Sequence, residues 1–168
     1  ALLCGNAVII KPSQDVPHTV HRLVELLLEA GLPPQVIQLV LGGGEAGAAL
    51  VEHPELPVIS FTGSTDTGSR IRGTCGRMHK RQSPQMGGKN AQIVMPDADL
   101  ELALEGVLWG AFGTTGQRCT ATSRVLLQQD IARDFVDRLQ ARTEQLRLGD
   151  GLEEDTDLGP LINDRAMR

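Results

Sequence analysis

Tyrosine is absent from the 168-residue sequence, and the only other aromatic residues are Trp109, Phe61, Phe112 and Phe135. So few rings leave almost nothing on which bases or sugars could stack, and the core is expected to be aliphatic. Basic residues are scarce as well. Sixteen Lys plus Arg stand against 21 Asp plus Glu, a net charge of −5, and the densest basic stretch, 77–81, is short. A polyanion-binding face needs clustered Lys and Arg, so nucleic acid is not expected as a partner. No apolar run approaches the roughly 18 residues that span a bilayer, and no basic-then-apolar leader opens the chain, so no membrane partner is expected either. Cys4, Cys75 and Cys119 are odd in number and form no CxxC pair. That argues against a disulfide framework and for a reducing, cytoplasmic setting. Among the four histidines only His18 and His21, at i and i+3, approach a metal-ligand spacing, and with no third ligand in sight no metal is expected.

What is present is ordinary for a folded α/β protein. Hydrophobic residues make up 40% and charged ones 22%, enough apolar material for a core and too little charge for disorder. The chain starts without Met in an apolar run and ends in the polar NDRAMR, which suggests an internal piece of something longer. Val- and Ile-rich segments alternate with segments of helical period, the pattern of βα units around a parallel sheet. A strand at 7–11 precedes a helix in which Val20, Leu23, Val24, Leu27 and Leu28 share one face, stopped by Gly31, Pro33 and Pro34. A strand at 36–41, the Gly42–Gly44 turn, a short Ala-rich helix and a strand at 58–61 complete three units, half of a doubly wound nucleotide-binding domain. The third strand runs into Gly63, Ser64 and Thr65 and then a helix to about Cys75, which leaves free N–H groups where a phosphate can sit. After a polar stretch, 77–85, come Gly87 and Gly88, a strand at 91–95, a helix at 100–112 behind the Pro96–Asp99 turn, the loop 113–116, a strand at 123–127 and a helix at 131–146. The texture changes near Gly87, so the chain is divided into 1–86 and 87–168.

Three features bear on chemistry. Gly42, Gly43, Gly44 and Gly47 lack the full GxGxxG spacing and an acidic residue after the next strand, so by themselves they read as a turn. Ser64 reads equally as a helix cap and as a phosphate ligand. Cys119 follows a Gly-containing loop and has Arg118 beside it, and a thiol near cationic or N–H donors ionises more readily into the nucleophilic thiolate. Cys4 and Cys75 read as small buried hydrophobes.

The blocks GNAVIIKPSQDVP, LLLEAGLPPQVIQLVLG, GEAGAALVEHP, ISFTGST, MGGKNAQIVMPDADLELA, GQRCTA and DTDLGPLI follow one another in the order and spacing of the NAD(P)-dependent aldehyde dehydrogenase superfamily, which the chain resembles over its whole length. The resemblance implies an α/β, aldehyde dehydrogenase-like fold: a parallel Rossmann-type nucleotide-binding sheet over 1–86, then the start of an α/β catalytic domain over 87–168. It implies oxidation of a small-molecule aldehyde to a carboxylic acid with NAD or NADP. Cys119 matches the nucleophile, which forms a thiohemiacetal and then a thioester, its own N–H helping to hold the oxyanion. Lys11 and Gln14 match the pair that holds the adenosine ribose, Ser64 the hydroxyl at the pyrophosphate, Gly63 the backbone that approaches it, and Gly42 the glycine near the adenine. Trp109 and Phe112 become candidate substrate contacts, with core packing the favoured reading for Phe112. A homodimer or homotetramer is implied for the whole protein, with the helix over 64–75 packing across the dimer. The family's second oxyanion donor would precede residue 1, and its Glu at the nicotinamide ribose would follow residue 168.

Two positions depart from the family pattern. Gln85 stands where a Glu usually deprotonates the hydrolytic water, and an amide cannot accept that proton, so a factor of roughly 10²–10⁴ in deacylation should be lost. Pro84 just before it removes a ladder donor from what should be an inner strand. Gln14 stands where NAD-selective members carry a Glu that repels a 2′-phosphate, so NADP should be tolerated. Gln85 also keeps two other readings open: an enzyme that passes its acyl group to coenzyme A, and an inactive cofactor-binding relative.

Overall fold

Two short strands, β1 (Val8–Ile10) and β2 (Ile37–Leu39), pair in parallel, with Val8 opposite Ile37 and Ile10 opposite Leu39. Between them runs α1 (Pro17–Glu29), started by a proline whose fixed φ suits the first helical position. Gly31, at φ +93°, ends it in the left-handed conformation while the Leu32 N–H donates to the Leu27 carbonyl at 3.0 Å. The computed structural model describes residues 1–167, which divide into two compact units, Ala1–Gln85 and the residues from Met86 onward.

The first unit continues with α2 (Gly44–Glu52), β3 (Val58–Gly63), α3 (Thr65–Arg77) and β4 (Arg81–Met86). Besides Pro12 in the loop after β1, its buried apolar side chains come one from each of four elements: Val24 from α1, Ile37 from β2, Val51 from α2 and Cys75 from α3. Lys80 closes the end of α2 by donating from Nζ to the Val51 and His53 carbonyls at 2.6 and 2.5 Å, which satisfies oxygens that the helix leaves unpaired.

Several expectations change here. The polar stretch 77–85 has no strand pattern of its own, yet 81–86 forms β4 against β3, where the family resemblance implies a strand. Among the described residues the ladder partner of β4 is β3 alone, and with its other edge unpaired here Pro84 removes no donor from that ladder. The β1–β2 and β3–β4 ladders are two separate pairs. The strand expected at 36–41 is shortened because a 3-10 turn over Pro34–Val36 takes its first residue. Cys4 is exposed, not buried, and no residue before Pro12 is fully buried.

The second unit is built on β5 (Asn90–Val94) and β6 (Thr122–Leu127), a parallel pair, with α4 (Leu100–Phe112) and α5 (Gln129–Thr143) packed beside them. Asp99 caps α4 by accepting from the Glu101 and Leu102 N–H groups at 3.0 and 3.1 Å. Gln128 starts α5 earlier than its apolar periodicity does, accepting from the Asp130 N–H at 3.1 Å. Val94, Leu104, Val107 and Phe135 form one contiguous core, flanked by Leu100, Val125, Leu127, Ile131 and Leu139. The core is therefore not purely aliphatic. Phe135 is fully buried within it, and burying an aromatic ring contributes about 1.5–3 kcal/mol. α4 comes close to the sheet at Gly110, where any side chain would collide with Thr122 and Gln92. No described helix is long and apolar enough to cross a membrane.

Candidate active site

The first unit brings three of the expected cofactor residues together. Lys11, just beyond β1, donates from Nζ to the Pro12 carbonyl at 2.7 Å and the Gly42 carbonyl at 2.9 Å. An ammonium has three donors, so one is left for a ligand. Gln14 lies against the same turn, its Oε1 3.2 Å from where a Cβ on Gly43 would sit. Gly42 has φ +149°, and a Cβ there would lie 2.8 Å from that of Ala46, so only glycine fits the turn into α2.

Gly63 and Ser64 sit where β3 passes into α3. A Cβ on Gly63 would be 2.6 Å from the Phe61 ring. The Ser64 hydroxyl is engaged as a cap: it accepts from the Thr67 N–H at 3.3 Å and donates to the Thr67 hydroxyl at 3.0 Å. Gln85 is an exposed residue of β4.

Cys119 lies in the second unit, exposed, in a turn before β6. The preceding loop is strained. Thr114 and Thr115 have φ +54° and +55°, a left-handed conformation that β-branched residues avoid at a cost of about 1–3 kcal/mol each. Side chains hold it there. Gln117 donates to the Thr115 hydroxyl and accepts from the Ile162 N–H at 3.1 Å, tying the loop to the DLGPLI block. Gly116, at φ +68°, has the Ala111 carbonyl where a Cβ would sit 2.8 Å from it. Asn90 of β5 donates from Nδ2 to the Cys119 carbonyl at 2.7 Å and to the Ala121 carbonyl at 3.1 Å.

Arg118 departs from its expected role. Its guanidinium lies 3.8 Å over the Trp109 ring and donates to the Trp109 carbonyl at 3.1 Å. Cation–π attraction and that bond hold it on α4. Trp109 and Phe112 line an open pocket of ≈ 370 Å³ with Leu108, Leu146 and Leu158 and the charged Glu105, Arg142 and Asp157. Phe112 is half-buried and a pocket wall, not a core residue.

Among the described residues no three His, Cys, Asp or Glu side chains form a metal-holding group. His21 instead faces Glu25 at 3.7 Å, and His53 accepts from the Glu55 N–H at 3.3 Å. Sequence reasoning missed Asn90, Gln117 and the strained threonines. The first two sit inside the MGGKN and GQRC blocks and could have been singled out; nothing in the sequence signals left-handed threonines.

The model of the aldehyde dehydrogenase family matches residues 1–168. The chain belongs to that family. This aldehyde dehydrogenase chain is 44% identical over 163 residues to betaine aldehyde dehydrogenase 2 of Rhizobium meliloti, an alignment covering 97% of the chain and 34% of the relative. It is 43% identical to phenylacetaldehyde dehydrogenase of Pseudomonas fluorescens, covering 97% and 33%. Of the solved structures, betaine aldehyde dehydrogenase from Staphylococcus aureus in complex with NAD+ superposes with a TM-score of 0.95 at 37% identity, covering 98% of the chain and 33% of that one. PnpE in complex with nicotinamide adenine dinucleotide gives 0.94 at 44% identity, covering 97% and 34%. The α/β fold is thus that of the aldehyde dehydrogenases, and the chain spans about a third of the length of the relatives it matches.

Proposed function

We propose that the whole protein oxidises an aldehyde to a carboxylic acid with NAD+ or NADP+, through a thiohemiacetal and then a thioester on Cys119. The observation that carries this is the exposed Cys119 thiol on a loop whose Cys119 and Ala121 carbonyls are held by Asn90 and whose Gln117 side chain is bonded to Ile162, in a chain matching the family over its whole length. In this reading 1–86 is the cofactor-binding portion and 87–168 the catalytic portion.

The residues of the first unit suit a dinucleotide. Lys11 has a donor left for a ribose hydroxyl and Gln14 lies on the same turn. Gly42 keeps the turn beside them tight, Gly63 keeps the β3–α3 junction free of a side chain, and α3 offers its N-terminal N–H groups to a pyrophosphate. Ser64 would contact that pyrophosphate only by sharing the hydroxyl now bonded to Thr67. Bound there, the cofactor supplies a hydride acceptor. Two relatives of known structure, the Staphylococcus aureus enzyme and PnpE, carry NAD+, which supports NAD use here. Gln14 lacks the carboxylate that would repel a 2′-phosphate, which supports NADP use as well.

The chain's own chemistry then runs through sulfur. The Cys119 thiolate attacks the aldehyde carbon, and the Cys119 N–H donates to the oxyanion that forms. Once the hydride has left, the acyl group remains on Sγ as a thioester. Water must then be deprotonated to release the acid, and Gln85 cannot take that proton. In this reading the amide slows hydrolysis, the step that needs a base, and leaves the thioester waiting on Sγ. Gln85 also favours a second reading, in which the thiol of coenzyme A takes the acyl group without needing a carboxylate base on the enzyme. The free cysteines fit a reducing, cytoplasmic setting, and a homodimer or homotetramer is proposed by family likeness.

The test is reduced-cofactor formation by the whole protein across a panel of aldehydes with NAD+ and NADP+, with and without coenzyme A. Formation that Cys119→Ala abolishes supports the proposal, and acceleration by coenzyme A with release of acyl-CoA selects the second reading. Cofactor binding without turnover on any aldehyde would make the protein an inactive relative.

A further inference from the structure

We infer that Asn90 is a positioning residue for the nucleophile, its carboxamide clamping the two carbonyls that bracket the Cys119 turn. The inference rests on the reading of Cys119 as the attacking group. Three observations meet at this side chain. Its NH₂ has two hydrogens, and two carbonyls spaced two residues apart receive them, Cys119 at 2.7 Å and Ala121 at 3.1 Å. The turn between them is closed by its own bond, Ala121 N–H to the Arg118 carbonyl at 3.1 Å, so the carboxamide docks a formed turn onto β5.

The second observation is the room left for that carboxamide. A Cβ on Gly88 would lie 2.9 Å from Asn90 Oδ1 and 3.2 Å from Nδ2, so a side chain at Gly88 would push the amide off its carbonyls. The third is a break in the ladder. Asn90 faces Thr122 while Ala91 faces Arg124, which leaves Ser123 without a partner in the register; its hydroxyl donates to the Asn90 carbonyl at 3.3 Å. A bulge of this kind re-aims the strand where it occurs, here at the first residues after the cysteine turn.

Desolvation does not require the clamp. Cys119 is exposed, so water can satisfy its carbonyl, and what the direct bond adds is orientation. The Cys119 peptide carries both the thiol and the N–H that meets the oxyanion, and a misplacement of about 1 Å at such a centre can cost about 10²-fold in rate. Asp at position 90 has the same shape but turns only acceptors towards two carbonyl oxygens. Ser retains one donor.

The experiment uses the whole protein and the rate of the first turnover, read as the burst of reduced cofactor, because slow deacylation at Gln85 would mask acylation in the steady state. Cofactor dissociation constants and melting temperatures are measured alongside. Asn90→Asp should slow the burst about 10- to 100-fold with cofactor affinity unchanged, and Asn90→Ser should recover part of the loss. Should Asn90→Asp not fold, Asn90→Ser decides, with a burst between wild type and a tenth of it supporting the clamp. A wild-type burst in Asn90→Asp or, where that variant does not fold, in Asn90→Ser overturns it, as does a loss that only follows weaker cofactor binding. Cys119→Ala separates the two ideas: if it keeps a burst, the reading of Cys119 itself fails, whereas if it alone loses the burst, only the clamp fails.

Discussion

The glycine turn at Gly42 and the loop before Cys119 both put the backbone at positive φ, and they do so by opposite means. At Gly42 the conformation costs little, because glycine has no Cβ to clash and the turn needs only the Lys11 bond to fix it. Before Cys119 the same kind of backbone is imposed on Thr114 and Thr115 and held by bonds from Gln117, Arg118 and Asn90. The first turn is a shape for a ligand to lie on. The second stores strain beside a reacting group, which only a surrounding structure that over-determines it can maintain. The units carrying them match this contrast: the second has a contiguous core around Phe135, while the buried residues of the first are spread over four elements.

Substitutions in the two regions should have different consequences. The largest effect is expected at Gln85. Gln85→Glu restores a base, and thioester hydrolysis in the second half of the reaction should accelerate by about 10²–10⁴-fold, measured as steady-state turnover relative to the burst; an unchanged ratio would mean that deacylation never depended on this position. Phe135→Ala should cost about 3–5 kcal/mol in denaturant unfolding, against about 0.5–1.5 kcal/mol for Ile37→Val in the dispersed core of the first unit. Gly42→Ala and Thr114→Gly should differ in sign. Gly42→Ala brings a Cβ within 2.8 Å of Ala46 and should lower both melting temperature and cofactor affinity. Thr114→Gly relieves a strained φ and should stabilise by about 1 kcal/mol net while slowing the burst, since the loop is then free to leave its geometry.

The smallest effect concerns pH. The Asp157 carboxyl is held below the usual carboxylate range, first by the Arg147 guanidinium and then by the Arg147 N–H at 2.9 Å. A depressed folded value gives stability that is fully present above the unfolded value of about 3.9 and is lost as pH falls through the lower folded value. Asp157→Asn should therefore destabilise the protein slightly at neutral pH, with the difference from wild type shrinking below about pH 4. A constant difference down to the acid limit would remove the Arg147 pairing from the account.

Much of this was legible in the sequence where local chemistry and global fold agree. Gly31 ends α1, Asp99 starts α4, and the GQRC spelling singles out Cys119. Legibility fails where they disagree. Arg81, Gln82, Ser83 and Pro84 have no strand signature, and β4 forms because β3 offers it a partner. Cys4 sits in an apolar run that looks buried, yet nothing described covers it. Arg118 looked like a cation for the thiol, but the Trp109 ring nine residues earlier on α4 takes it. The strained threonines contradict their own propensity, so only the assembled loop reveals them.

In the proposed reaction Cys119 becomes acylated and Gln85 leaves the acyl group there. The decisive measurement is intact-protein mass of the whole protein after incubation with an aldehyde and NADP+ or NAD+, with Cys119→Ala alongside. The account predicts a persistent acyl adduct that vanishes in Cys119→Ala and is cleared by coenzyme A or in Gln85→Glu. Reduced cofactor accumulating with no adduct would contradict it, because hydrolysis would then be fast with an amide at position 85.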